Sequence, residues 1–218
     1  MTVPMKVSSL FVLALLGMLL LGGCGSGNAS SGASSGPSST QKSFGSTQQA
    51  SGNGGEKPVA PENNPTGDIP DTQAFVTYTS QQGNYAVEVP EGWARTVKGT
   101  DVSFVNKLDG MSVTLKSTAG VPTVASVRKN EVPVLKKAEG AVQVSGVQDV
   151  RLPSGRAVLV RYTSNSKPNS VTGKQVRLEN DSYVYSKNGE MATLRLYAPL
   201  GADNVDQWRR ISRSFRWK

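Results

Sequence analysis

The chain of 218 residues contains no histidine and a single cysteine, Cys24. Without histidine there is no Ser-His-Asp triad, no imidazole metal ligand and no imidazole pH switch. One cysteine cannot close an internal disulfide, so core burial alone must hold the fold, even in a compartment that permits disulfides. Long apolar runs are also missing, with one exception, Val7–Leu21 at 15 residues. Nothing after Cys24 approaches the roughly 20 apolar residues needed to span a bilayer. Negative charge is in deficit, since 24 Lys and Arg face 16 Asp and Glu and leave a net charge of +8. No catalytic residue, metal or cofactor is expected.

The apolar run follows a short polar start carrying Lys6, as in a secretion signal, and is short for a membrane helix. It ends in Leu21-Gly22-Gly23-Cys24, a branched apolar residue, two small residues and the cysteine. This resembles a bacterial lipobox, in which a peptidase cuts between Gly23 and Cys24 and the thiol receives a diacylglycerol. The glycines admit the backbone to a narrow protease site, and only cysteine offers a thiol to alkylate. Two or more acyl chains anchor stably, because each buried methylene contributes about 0.8 kcal/mol. With no twin arginine, the general secretory route is expected. The expected location is the extracytoplasmic face of the cell membrane.

Residues 24–70 read as a tether. Gly25–Ala60 is dominated by Gly, Ser, Asn and Gln and cannot bury enough surface to offset its ordering entropy. The prolines of Pro58–Pro65 stiffen its end. As a flexible coil, Gly25–Pro70 would span about 35–40 Å. Gly52–Lys57 lacks the Gly-Lys-Ser/Thr ending of a phosphate loop.

From residue 71 to 218 the pattern is that of a folded domain. Ala74–Tyr78 and Tyr85–Val89 predict strands, the second with Tyr85, Val87 and Val89 on one face. Val102–Asn106 and Ser112–Lys116 predict a hairpin across Leu108-Asp109-Gly110. Val121–Glu139 predicts a helix capped by Thr123, kinked or broken just before Pro133 and ended by Gly140. Val142–Leu152 and Arg156–Ser164 flank Pro153-Ser154-Gly155, and Gln175–Ser186 and Glu190–Ala198 flank Lys187-Asn188-Gly189. Asn-Gly between alternating strands is a strong hairpin signal. A closing helix is predicted to be capped by Asp203 or Asn204, with Val205, Trp208 and Ile211 on one face, and Ser214–Lys218 would pin the tail. The expected fold is α+β, a mainly antiparallel sheet flanked by helices.

The run Tyr85-Ala86-Val87-Glu88-Val89-Pro90-Glu91-Gly92-Trp93 resembles the opening "Y-x-φ-x-φ-P-x-G-W" of the PsbP-like fold. The helix bearing Asn130–Leu135, the Asn188-Gly189 hairpin and the closing Trp208–Phe215 segment fit the same family. It includes envelope lipoproteins of the LpqN type, the photosystem II extrinsic protein and a Ran-binding nuclear import factor. The resemblance covers Phe75–Trp217 and implies a PsbP-like sandwich and a non-catalytic binding or docking role. The metal-binding histidines of the photosynthetic branch have no counterpart in a chain without histidine.

From Thr72 onward 21 Lys and Arg face 12 Asp and Glu. Arg209, Arg210, Arg213, Arg216 and Lys218 cluster in the tail, and Arg151, Arg156 and Arg161 on the central hairpin. They are candidates for contact with anionic lipid headgroups or anionic wall polymers. Nucleic acid is not an expected partner for an exported, lipid-anchored domain. Tyr183, Tyr185 and Tyr197 are expected to share one sheet face. An open face would suit an apolar or sugar ligand, and a covered one would be core. The carboxylates Glu88, Glu91, Glu179 and Asp181 are read as solvated surface, and Trp93 and Trp217 as packing residues. Ser154 lacks a Gly-x-Ser-x-Gly context. The expected function is a membrane-anchored module docking an envelope component or partner protein. The alternative is a carrier of a small apolar or lipid ligand between sheet and helix.

Overall fold

The computed structural model describes residues 55–218, so Cys24, Gly23 and the apolar run lie outside the described residues. The large sheet has seven strands in the order β3-β4-β5-β9-β8-β7-β6: β3 (Ala94–Lys98), β4 (Asp101–Asn106), β5 (Asp109–Ser117), β6 (Gly140–Leu152), β7 (Gly155–Asn165), β8 (Arg177–Lys187) and β9 (Glu190–Pro199). A smaller sheet has the order β1-β2-β10, from β1 (Phe75–Thr79), β2 (Tyr85–Pro90) and β10 (Arg216–Trp217). Every pairing is antiparallel. With the helices α1 (Val124–Ala138) and α2 (Val205–Ser214) this is an α+β fold.

Local chemistry sets the turns. Asn188 and Gly189 both have positive φ, 52° and 80°, the pattern of a type I′ turn whose twist matches the flanking strands. They pair Lys187 with Glu190 and fix the β8–β9 register. The β4–β5 reversal is tighter than expected. Asn106 pairs with Asp109 across Lys107-Leu108, so Asp109 and Gly110 belong to the strand. Gly110 is required there, because the Tyr197 ring lies where a Cβ would stand.

The two faces of the large sheet bury different elements. One face packs Tyr85, Val87, Phe104, Met111, Val113, Leu194, Leu196, Ile211 and Phe215 beneath the small sheet and α2. The chain's last strand, β10, pairs with β2 through Arg216↔Ala86 and Trp217↔Tyr85, which pins the tail as expected. The other face packs Val127 of α1 against Val147, Val158, Val160, Tyr162, Val184 and Met191.

Four expectations need correction. First, of the kink or break expected at Pro133 the break is absent: α1 continues through it, and the apolar stripe Val124, Val127, Val132 and Leu135 pressed on the sheet outweighs the lost hydrogen bond. Its Thr123–Ser126 capping box is as predicted at Thr123, but it ends at Glu139 in extended conformation, and Gly140 already opens β6. Second, β3 had no visible signal, since all five of its residues are exposed. Third, Asn204 makes no side-chain cap on α2. Its amide accepts from the Ile69 N–H at 2.7 Å and donates to the Gly67 carbonyl at 2.8 Å.

The fourth correction is the boundary at residue 71. Residues 55–70 lie along the domain as a strap. The Glu56 carboxylate accepts from Asn165 and Gln175, the Val59 N–H donates to Asn165, and Glu62 pairs with Lys174. Further along, Asp68 accepts from the Asp203 N–H, and Ile69 is only 4% exposed. A strap that spreads its polar atoms over the β7–β8 loop and the start of α2 exchanges water contacts for protein contacts without a hydrophobic run, so composition did not reveal it.

Asp109 sits under the strap, buried, with one carboxylate oxygen lacking a hydrogen-bond partner among the described residues. Burial, then the nearby Asp68, push its pKa up to about 7, with Lys107 opposing. Two outcomes are expected. Ile69→Ala lowers unfolding stability by about 2–4 kcal/mol in urea titrations, as for a buried aliphatic residue; a loss under 0.5 kcal/mol would mean the strap is not part of the fold. Because the folded state holds the Asp109 proton up to about pH 7 while an unfolded carboxyl releases it near pH 4, stability from this group is present at low pH and falls as pH rises through that window. Asp109→Asn should flatten that slope in melting curves taken across the same pH range.

Candidate functional site

Directly opposed residues on neighbouring antiparallel strands project to the same face. The β8–β9 register pairs Tyr183 with Leu194, Tyr185 with Ala192, and Asn180 with Tyr197. Tyr183 and Tyr185 therefore face α2, whereas Tyr197 is on the opposite face, and the expected three-tyrosine face does not exist. Tyr185 is core. It stacks on Phe215 at 4.4 Å between ring centroids and donates to the Ser212 carbonyl at 3.0 Å. Trp93 and Trp217 pack against the same cluster, as expected.

α2 covers only part of its face. Beyond it, β6, β7 and β8 form the floor and far wall of an open groove of about 1060 Å³. The near wall is the helical stripe Val205, Trp208, Arg209, Ser212 and Arg213, at the spacing of one helix face. The floor carries Leu159, Arg161, Glu179, Asp181 and Tyr183, and Val150 and Leu152 stand opposite. The groove thus collects three of the eight candidate basic residues, Arg161, Arg209 and Arg213. The other five lie apart. Arg151 is opposite Arg156 in register and projects with it to the α1 face, where Arg156 bonds Asp149; Arg210 bonds Glu88 at 2.6 Å and lies over the Phe75 ring, and Arg216 and Lys218 are at and beyond β10.

Glu179 and Asp181 are not solvated surface. As alternate residues of β8 they project together into the groove, and sequence periodicity from the Asn188-Gly189 turn would have placed them on the Tyr183 side. Arg161 bonds Asp181 at 3.3 Å, and the Tyr183 hydroxyl donates to it at 3.2 Å. Burial raises the pKa of both carboxyls. At Glu179 the Asp181 charge adds to this and the Gly201 N–H opposes it, while at Asp181 Arg161 and Tyr183 oppose it. Burial and then Asp181 push Tyr183 up to about 12. Arg209 is paired with Asp206 at 2.7 Å. Of the other charged groups in the groove, Glu179, Asp203 and Arg213 have no ion-pair partner among the described residues.

A second groove, about 560 Å³, lies on the other face beside the end of α1 and includes Tyr197, Val105, Leu108 and Leu178. Its central arginine is held by neighbours in the fold. Arg195 donates to Glu139 at 2.9 Å and to Asn180 at 2.7 Å and lies 4.7 Å from the Tyr197 ring centre, and the Tyr162 hydroxyl donates to Glu139. The α2 groove differs in presenting carboxylates and an arginine with no ion-pair partner among the described residues. Among the described residues no cluster of three acidic or cysteine side chains could hold a metal ion, and no helix is long and apolar enough to cross a membrane.

No protein-family model and no curated protein matches the chain. Solved structures do. The solution structure of cyanobacterial PsbP from Synechocystis sp. PCC 6803 aligns over 70% of this chain and 98% of its own, with 16% identity and a TM-score of 0.49. A crystal structure from Bacteroides thetaiotaomicron covers 65% of this chain and 48% of its own at 8% identity and a TM-score of 0.45. The Pseudomonas aeruginosa protein PA94 covers 64% and 94% at 11% and 0.40. These likenesses concern the path of the chain and carry no functional argument.

The electrostatics of the groove floor are testable. Arg161 holds the raised Asp181 pKa down, so Arg161→Gln should drive it further up. Carboxyl-carbon NMR titration of Asp181 reads this directly, and an unchanged or lowered midpoint would refute the pairing.

Proposed function

We propose that the chain is a membrane-anchored, extracytoplasmic lipoprotein of the PsbP-like, LpqN type, whose domain is a non-catalytic binding module. The observation that carries the binding role is the α2 groove, a cleft of about 1060 Å³ lined by both apolar and charged side chains, of which Glu179, Asp203 and Arg213 are unpaired within the described fold. Mixed clefts of this size suit a ligand better than a closed core does. The anchoring role rests on Leu21–Cys24, with Cys24 as the lipidated residue and the bond after Gly23 as the cleavage site. The family assignment rests on Tyr85–Trp93. In the fold, that motif buries Tyr85, Val87 and Val89 and turns at Gly92, whose φ is +84°.

The partner is an envelope component or protein on the outer side of the membrane, with anionic lipid or wall polymer as further candidates for the basic rim. A carrier of a small apolar or lipid ligand is the second reading, favoured by the strip of Val150, Leu152, Leu159 and Trp208 in the same groove.

In cells fed a labelled fatty acid, Cys24→Ala should abolish acyl labelling and release the chain from the membrane fraction; persisting label would refute the lipobox. Mass spectrometry of organic extracts separates the two binding readings. A stoichiometric non-covalent lipid supports the carrier, and its absence supports docking.

A further inference from the structure

The α2 groove is polar along its length. Helix α2 runs alongside β8 in the same direction. Its start lies by Glu179, whose raised pKa the nearby Gly201 N–H opposes, and the Leu200 N–H donates to the Arg177 carbonyl. Its last turn lies by Tyr185, whose hydroxyl donates to the Ser212 carbonyl. The unpaired charges separate accordingly. Glu179 and Asp203 stand at the end where α2 begins, and Arg213 at the end where it finishes. Between them the charges are closed by the Arg161–Asp181 pair, and Leu159, Trp208 and the Tyr183 ring offer apolar surface.

From Glu179 to Tyr185 the strand advances six residues, on the order of 20 Å at about 3.3 Å each. The long Arg213 side chain reaching inward shortens the span between opposite charges to that of an extended peptide of about four residues. A polyanion would meet Glu179 and Asp203 unscreened, and a polycation would meet Arg213. A ligand with one positive and one negative end satisfies both.

We propose that the α2 groove binds a short extended peptide with free termini, its ammonium group at Glu179 and Asp203 and its carboxylate at Arg213. Apolar side chains in its middle lie against Trp208, Leu159 and Tyr183. The raised pKa of Glu179 fits this placement, since an incoming ammonium favours its charged form. This names the ligand class of the groove in the reading above and rests on that reading.

The test is calorimetric titration of the acylated full-length chain, held in maltoside micelles, with the tetrapeptide Ala-Leu-Phe-Ala and its N-acetylated and C-amidated forms. Each modification should weaken binding about fivefold, the scale of one partly exposed charge pair. Glu179→Gln should remove the penalty of N-acetylation while leaving that of C-amidation, and Arg213→Gln should do the reverse. Arg213 is exposed on α2, so its variant keeps the test open if Glu179→Gln fails to fold. Equal binding of all three peptides, or penalties that ignore the variants, would overturn the proposal. If no peptide binds, it also falls, and the lipid extraction above then decides separately whether the groove serves another ligand.

Discussion

The register fixed at Asn188-Gly189 governs the rest of the molecule. A two-residue turn pairs 187 with 190, and each further pair follows without freedom, because a slip of one residue would exchange the two faces of β8 and β9. That single constraint sends Tyr183, Tyr185, Leu194 and Leu196 under α2 and sends Tyr197, Arg195 and Asn180 to the α1 side. It also sets Glu179 and Asp181 beside Tyr183. The core, the polar network around Arg195 and the floor of the groove are three consequences of one turn.

The strap and α2 depend on each other. Asn204, free of capping duty, ties Gly67 and Ile69 to the start of the helix, and Gln207 reaches Asp71 in the next turn. The helix start that borders the groove is thereby fixed from outside the sheet by chain lying more than a hundred residues earlier. Burying Asp109 beneath the same strap opposes this arrangement when the carboxyl is charged, so the strap is held most firmly when it is protonated.

Legibility in the sequence followed physical signal. Hairpins with glycine turns, the Thr123 cap and the pinned tail were readable because each has a local cause. β3 was not, because an edge strand exposed on every residue carries no burial pattern. The passage of α1 through Pro133 was decided by tertiary burial, which local propensity does not contain. The tyrosine error was avoidable. Counting outward from 188 and 189, residue 197 pairs with 180, an even position on β8, whereas Tyr183 and Tyr185 are odd. The same count places Glu179 and Asp181 with the tyrosines of α2's face, and it needed no structure.

What the sequence did not show is how much of that face would stay uncovered. The seven-stranded sheet is wider than its lid. The small sheet and a helix of ten residues cover the strands from β4 to β8, while β6 and β7 extend past the helix. An apolar margin there would be costly to leave in water, so the exposed flank carries Gln148 and Arg161 between its aliphatic residues. Glu179 differs from these. Its carboxylate is half-buried beside Asp181, where desolvation and repulsion act together, and the fold supplies no cation to offset them. Replacing it by a neutral residue would relieve both terms, so its place on the floor is better accounted for by something that enters the groove than by the stability of the fold.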